Sequence, residues 1–309
     1  MASIERRCVS GFPKLVATVN DRTINLRMQK KLCSSVAAAV LLIWSPALAQ
    51  SLAADAGAAS PLAIGETFTI PSTTLGETRR INVYLPPPYT ESHDLRLPVL
   101  YMPDGGMAED FLHVAGLVQV SVGNGTMRPF ILVGIENTKR RRDLTGPTQS
   151  ADDRKIAPQV GSSAAFRRFI RSELMPAIKD RYRTTKETAI IGESLAGLFI
   201  VETLFLEPDL FDIYIAFDPS IWWNDNDLVN RAAERLRASR IGERTLYLAS
   251  SADDRSGLVN RLAEILRKNA PPNLKWQCQP LPSETHATIY HPAALQALRV
   301  LFKPADPKL

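Results

Sequence analysis

One stretch limits the possible folds more than any other: Thr188-Ala189-Ile190-Ile191-Gly192-Glu193-Ser194-Leu195-Ala196-Gly197-Leu198-Phe199. A short apolar run, suited to a buried strand, passes directly into Gly-x-Ser-x-Gly and then into a helical apolar run. Glycine is needed at 192 and 197 because a tight strand-to-helix turn brings backbone and helix close together. Ser194 then sits at the tip of the turn, at the helix N-terminus. There the backbone N–H of Leu195 can face a developing oxyanion. The motif predicts a local architecture and a chemistry, nucleophilic attack by a hydroxyl.

The rest of the chain repeats the strand–helix alternation. Phe68-Thr69-Ile70 and Arg80–Leu85 alternate with period two, as early strands do, and Pro86-Pro87-Pro88 stops the second. Leu97–Met102, Pro129–Ile135, Ile213–Phe217 and Thr245–Ala249 are short apolar runs fit for buried central strands. Phe166, Ile170, Leu174 and Ile178 give residues 164–182 helical spacing. Leu258–Lys268 reads as an amphipathic helix, Lys275–Pro280 as an alternating strand, and Pro292–Phe302 as a last helix with proline at its start. The expected fold class is α/β, a mostly parallel central sheet with helices on both faces. Ligands of such sheets bind at the carboxyl ends of the strands. From 62 to 309 no linker or repeat interrupts the pattern, which fits one domain.

The first 49 residues have a different character. They hold seven bases against two acids, which is the whole of the chain's +5 surplus. The remaining 260 residues are formally neutral, with 30 bases and 30 acids, so no broad basic footprint for nucleic acid exists. Lys30-Lys31, the apolar run Leu32–Trp44 and Ala47-Leu48-Ala49 have the layout of a cleaved secretory signal. The expected mature chain starts at Gln50 and enters the periplasm, with 50–61 a flexible Ala/Ser-rich lead-in. The apolar run is short for a membrane span, which needs roughly 20 residues, so no stable membrane insertion is expected. Residues 1–27 precede a well-formed n-region, so translation starting at Met28 would suffice for export. Cys8 and Cys33 lie in the removed part. Cys278 alone remains, which excludes an internal disulfide; no Cys/His spacing suits zinc, and neither metal nor organic cofactor is expected.

A serine hydroxyl needs a base. Four histidines exist: His93, His113, His286 and His291. His93 lies in a polar loop and His113 in a packed or surface position. His286 and His291 follow the last strand, and His286 is preferred because it occupies the polar part of that loop. His291 directly precedes a helix start and has a capping or packing explanation. The chain order Ser…acid…His places the acid after the strand Thr245–Ala249, at Asp254 with Asp253 as the alternative. Asp218 and Glu284 are further candidates, and a Ser/His dyad is also open. A second oxyanion donor is expected from Gly106 or Gly105, in the loop after Leu97–Met102. Lys139–Asp143, with Arg142 as the candidate contact, could attract an acidic substrate. Trp222-Trp223 reads equally as an aromatic wall, with Trp223 as the candidate, or as core.

Five segments, Val99–Gly106, Val133–Thr145, Gly192–Phe199, Asp218–Asn224 and Glu284–His286, together resemble the esterase-D-like hydrolases of the α/β-hydrolase superfamily. That group includes the periplasmic trilactone siderophore esterases. The resemblance spans roughly residues 65–305. It implies an α/β-hydrolase fold, Ser194 as nucleophile, His286 as base and, in some siderophore esterases, a Ser/His dyad. One departure is Ala196, where relatives often carry glycine. The expected function is an exported serine esterase acting on a small-molecule ester through an acyl-enzyme. An acyltransferase of the same fold and a non-catalytic binding protein are the alternatives.

Overall fold

Eight strands make one sheet in the order β1-β2-β4-β3-β5-β6-β7-β8. The strands are β1 (Glu66–Ser72), β2 (Glu77–Tyr84), β3 (Leu97–Pro103), β4 (Ile131–Ile135), β5 (Thr184–Glu193), β6 (Ile213–Phe217), β7 (Arg244–Ser251) and β8 (Leu274–Leu281). β1–β2 and β2–β4 pair antiparallel, and every pair from β4 to β8 is parallel. The structure is a computed structural model and describes residues 59–254 and 257–304. The leader, Cys8, Cys33 and most of the lead-in lie outside the described residues.

The helices in chain order are α1 (Pro87–Glu91), α2 (Phe111–Gly123), α3 (Arg140–Leu144), α4 (Ala151–Ile156), α5 (Ser163–Phe169), α6 (Met175–Arg181), α7 (Leu195–Leu206), α8 (Trp223–Asn230), α9 (Ala232–Ala238), α10 (Leu258–Asn269) and α11 (Tyr290–Leu301). The helix expected over 164–182 is present, with a π-helical turn at Ile170–Leu174 joining α5 to α6. Pro176, which has no N–H to donate, stands at the start of α6. Among the described residues no helix is long and apolar enough to cross a membrane.

Strand periodicity divides the core in two. Leu100, Met102, Ile191 and Ile215 face α2 and α11, where Val114, Val118, Ala297 and Leu298 are buried. Tyr101, Ile190, Tyr214 and Leu248 face the other layer, built on α5, α6, α7 and α10. In α10 the apolar stripe Leu258, Val259, Leu262, Ala263 and Leu266 is buried, as its spacing requires. α7 is buried nearly all round and runs behind the elbow. The carboxyl ends of β3, β5, β6, β7 and β8 therefore lie side by side, and the loops leaving them share one edge of the sheet.

Candidate active site

The elbow is strained and clamped. Ser194 adopts φ 59 and ψ −119, a backbone state that L-residues with a side chain rarely hold. Its N–H donates to Phe217 O (3.0 Å), and its carbonyl accepts from Ser220 N (2.9 Å), so the exit of β6 fixes both sides of the turn. A Cβ at Gly197 would lie 3.0 Å from Phe217 O, and one at Gly192 would lie 2.6 Å from Ala196 Cβ. Ala196 is fully buried, so its methyl fills the strand–helix contact and not the space above Ser194. That is where the extra methyl at the departing position goes.

Ser194, Asp218, Ser220, Trp222, Asp254 and His286 are among the walls of one cavity of about 290 Å³. Ser194 Oγ lies 3.3 Å from Ser220 Oγ. His286 Nδ1 lies 3.3 Å from Asp218 Oδ2. The Asp218 carboxylate also accepts from Ser251 N (2.6 Å) and from the Ser251 hydroxyl. Asp218 is buried and held at φ 37. Burial opposes its charge, yet the hydrogen bonds from His286 and Ser251 prevail and keep its pKa below the usual carboxylate value. The hydrogen bond to Asp218 in turn raises the His286 pKa above that of a free imidazole, against burial and with help from the charge of Glu193. Such a pair supplies a base with a fixed ring and a stabilised cation, beside a serine on a strained turn.

Asp254, expected as the acid, lines the cavity, but its carboxylate is engaged by the start of α10 and not by the His286 ring. Its carboxylate accepts from Leu258 N (2.9 Å) and Val259 N (3.2 Å) and so satisfies the free amides at the start of α10. Asp253 accepts from the His286 backbone N–H (2.8 Å), which fixes the loop and leaves Asp218 facing the ring. Glu284 contributes its carbonyl, to Ala252 N (2.9 Å). The amides expected to hold an oxyanion are occupied: Gly105 N donates to Ile135 O (3.0 Å) and Gly106 N to Glu109 Oε2 (2.7 Å). Leu195 opens α7, where the first amides of a helix have no partner within it.

Arg142 does not reach the Ser194 cavity. It pairs with Glu77 (2.7 Å) and Asp143 (2.6 Å), beside the buried Arg79–Asp143 ion pair (2.5 Å). Trp223 is core, with Nε1 donating to Gly146 O (2.8 Å). Trp222 is the indole on the cavity wall, 46% exposed. Three consecutive left-handed residues, Asn224, Asp225 and Asn226, reverse the chain just after it. Asn224 holds this turn by donating its N–H to Asp153 Oδ2 (2.8 Å) and accepting from Gln149 N (2.7 Å). His291 pairs with His113, Nδ1 to Nε2 at 2.9 Å, on the α2/α11 side, as a packing role requires. Cys278 is on β8, and burial pushes its thiol up to about 11. Sequence reasoning passed over Ser220 and Glu193. Ser220 lies in the Asp218–Asn224 segment; Glu193 is a carboxylate next to the serine, and burial raises it to about 7.

The profile of the Esterase family matches residues 72–279. The ferri-bacillibactin esterase BesA of Bacillus subtilis is 26% identical over 280 residues, covering 78% of this chain and 93% of that protein. The iron(III) salmochelin esterase of Escherichia coli is 23% identical over 164 residues, 52% of this chain and 36% of that one. Among solved structures, an IroE-like serine hydrolase from Shewanella oneidensis superposes with TM-score 0.71 at 29% identity, covering 77% of this chain and 80% of its own. The BES protein from Bacillus cereus gives TM-score 0.68 at 25% identity, over 81% of this chain and 99% of its own. With the family profile spanning well over half of its length and the fold shared with these hydrolases, the chain belongs to the Esterase family, within the α/β-hydrolase fold.

Proposed function

We propose that the protein is an exported serine esterase that cleaves carboxylic esters through an acyl-enzyme on Ser194. The observation that carries this reading is the strained Ser194 sharing a cavity with His286, whose ring is held by the buried Asp218. His286 carries its proton on Nδ1, toward Asp218, and leaves Nε2 free to accept. Ser194 Oγ attacks the ester carbonyl while Nε2 takes the hydroxyl proton. The oxyanion is held by the amide of Leu195. The imidazolium then gives its proton to the departing alcohol. Water attacks the acyl group, its proton passes to His286, and the acid leaves as Ser194 is restored.

The substrate class is suggested by relatives named for siderophore esters, and the secretory-signal pattern of Lys30–Ala49 supports export to where imported siderophores would pass. The test is a panel of ester substrates, including linear and cyclic siderophore esters, with and without an added alcohol as acceptor. Free acid as the sole acyl product supports a hydrolase. Transfer to the alcohol in preference to water would make it an acyltransferase.

A further inference from the structure

The sheet delivers a carboxylate to its active edge at nearly every strand end. Asp104 follows β3, Glu193 ends β5, Asp218 follows β6, Asp253 and Asp254 follow β7, and Glu284 follows β8. Three of these, Asp218, Asp253 and Asp254, line the Ser194 cavity, where His286 is the only basic side chain among the described residues. Arg255 lies outside the described residues. Counted at full charge, it still leaves the three carboxylates in excess.

Bases are close in sequence but committed elsewhere. Lys139, Arg140, Arg141 and Arg142 line a separate cavity of about 520 Å³. Arg140 is gripped by both oxygens of Asp104 (2.7 and 2.8 Å), Arg142 by Glu77 and Asp143, and Arg141 donates to Ile156 O. The chain after residue 49 is neutral overall, so the acidic edge is a segregation of charge and not a general excess. Besides Ser194 and Ser220, the rest of the cavity wall is apolar: Pro219, Ile221, Leu258, Val259 and the exposed indole of Trp222.

We propose that this site selects esters with no negative charge near the scissile bond, their apolar or aromatic part against Trp222, and turns away polyanionic esters. The selection rests on the esterase reading above and reverses the expectation that Lys139–Asp143 draws an acidic substrate to Ser194.

Three p-nitrophenyl esters of similar length test it on the mature chain: the butyrate, the anionic hemisuccinate and a cationic 4-(trimethylammonio)butyrate. At low salt the hemisuccinate should have a kcat/KM roughly five- to tenfold below the butyrate, as expected for one charge against about two at about 8 Å in water-like surroundings. The gap should shrink toward 1 M salt, where the screening length falls to about 3 Å. The cationic ester should match or exceed the butyrate. Asp254→Asn, which keeps a capping side chain, should raise the hemisuccinate-to-butyrate ratio about two- to threefold. Equal rates for the anionic and neutral esters, or a gap indifferent to salt, would overturn the charge selection while leaving the esterase reading intact. Failure to cleave all three, with Ser194 unreactive, would overturn both.

Discussion

Asp218→Asn is the substitution that separates a triad from a dyad. The amide oxygen of the new side chain can still accept from Ser251 N, so the fold should survive with little change in Tm. Its NH2 group would meet the Ser251 hydroxyl and His286 Nδ1, where Oδ2 of Asp218 now accepts. Two effects then combine. The charge-assisted hydrogen bond to the imidazolium is lost, which is about 1.5–3 kcal/mol, or roughly 10- to 150-fold in rate. The amide also donates toward Nδ1, which favours the tautomer with its proton on Nε2, facing Ser194 and unable to accept. Together these put the loss of kcat/KM at about 10³-fold. The pH profile adds a sign. The Asp218 hydrogen bond raises the His286 pKa, and activity needs the neutral ring. Activity therefore falls as pH drops through that raised value, and Asp218→Asn should move the acid limb to lower pH while lowering the plateau. The assay is kcat/KM for an activated ester across pH, for wild type and variant. A variant within about threefold of wild type, with its acid limb unmoved, would refute the dependence on Asp218 and leave a Ser/His dyad.

Two further outcomes concern stability. Asp254→Ala removes the carboxylate that serves the first amides of α10 and should cost about 1 kcal/mol in urea unfolding, with kcat for a neutral ester nearly unchanged. Asp143→Ala leaves the Arg79 guanidinium, fully buried, without its nearest counter-charge, and should cost about 3–5 kcal/mol by the same measurement.

The central sheet was legible because buried parallel strands are written as unbroken apolar runs, and the elbow because its glycines answer to a steric demand. α2 was not read as a helix. Phe111–Gly123 contains two glycines and four valines and is apolar on most sides, so propensity argues against it; packing of Val114 and Val118 on the sheet decides. The acid was ambiguous for a similar reason. Four carboxylates stand near the right strand ends, and what separates them is three-dimensional. The unpaired amides of α10 take Asp254, the loop amide of His286 takes Asp253, and a positive φ at Asp218 aims its carboxylate at the ring. Trp222 and Trp223 are neighbours in sequence, yet one is exposed on the cavity and the other buried, beside a left-handed turn that sequence does not announce. The amides of Gly105 and Gly106 have the freedom that sequence reasoning sought, but Ile135 O and Glu109 already hold them.

The covalent state of Ser194 tests the proposed chemistry most sharply. The protein is treated with a fluorophosphonate, and separately mixed with a p-nitrophenyl ester and quenched within one turnover, and both samples are mapped by peptide mass spectrometry. One adduct per chain is expected, on Ser194 in each case, with a burst of about one p-nitrophenol per enzyme and neither adduct nor hydrolysis in a folded Ser194→Ala variant. An adduct on another residue, or full activity in Ser194→Ala, would contradict it.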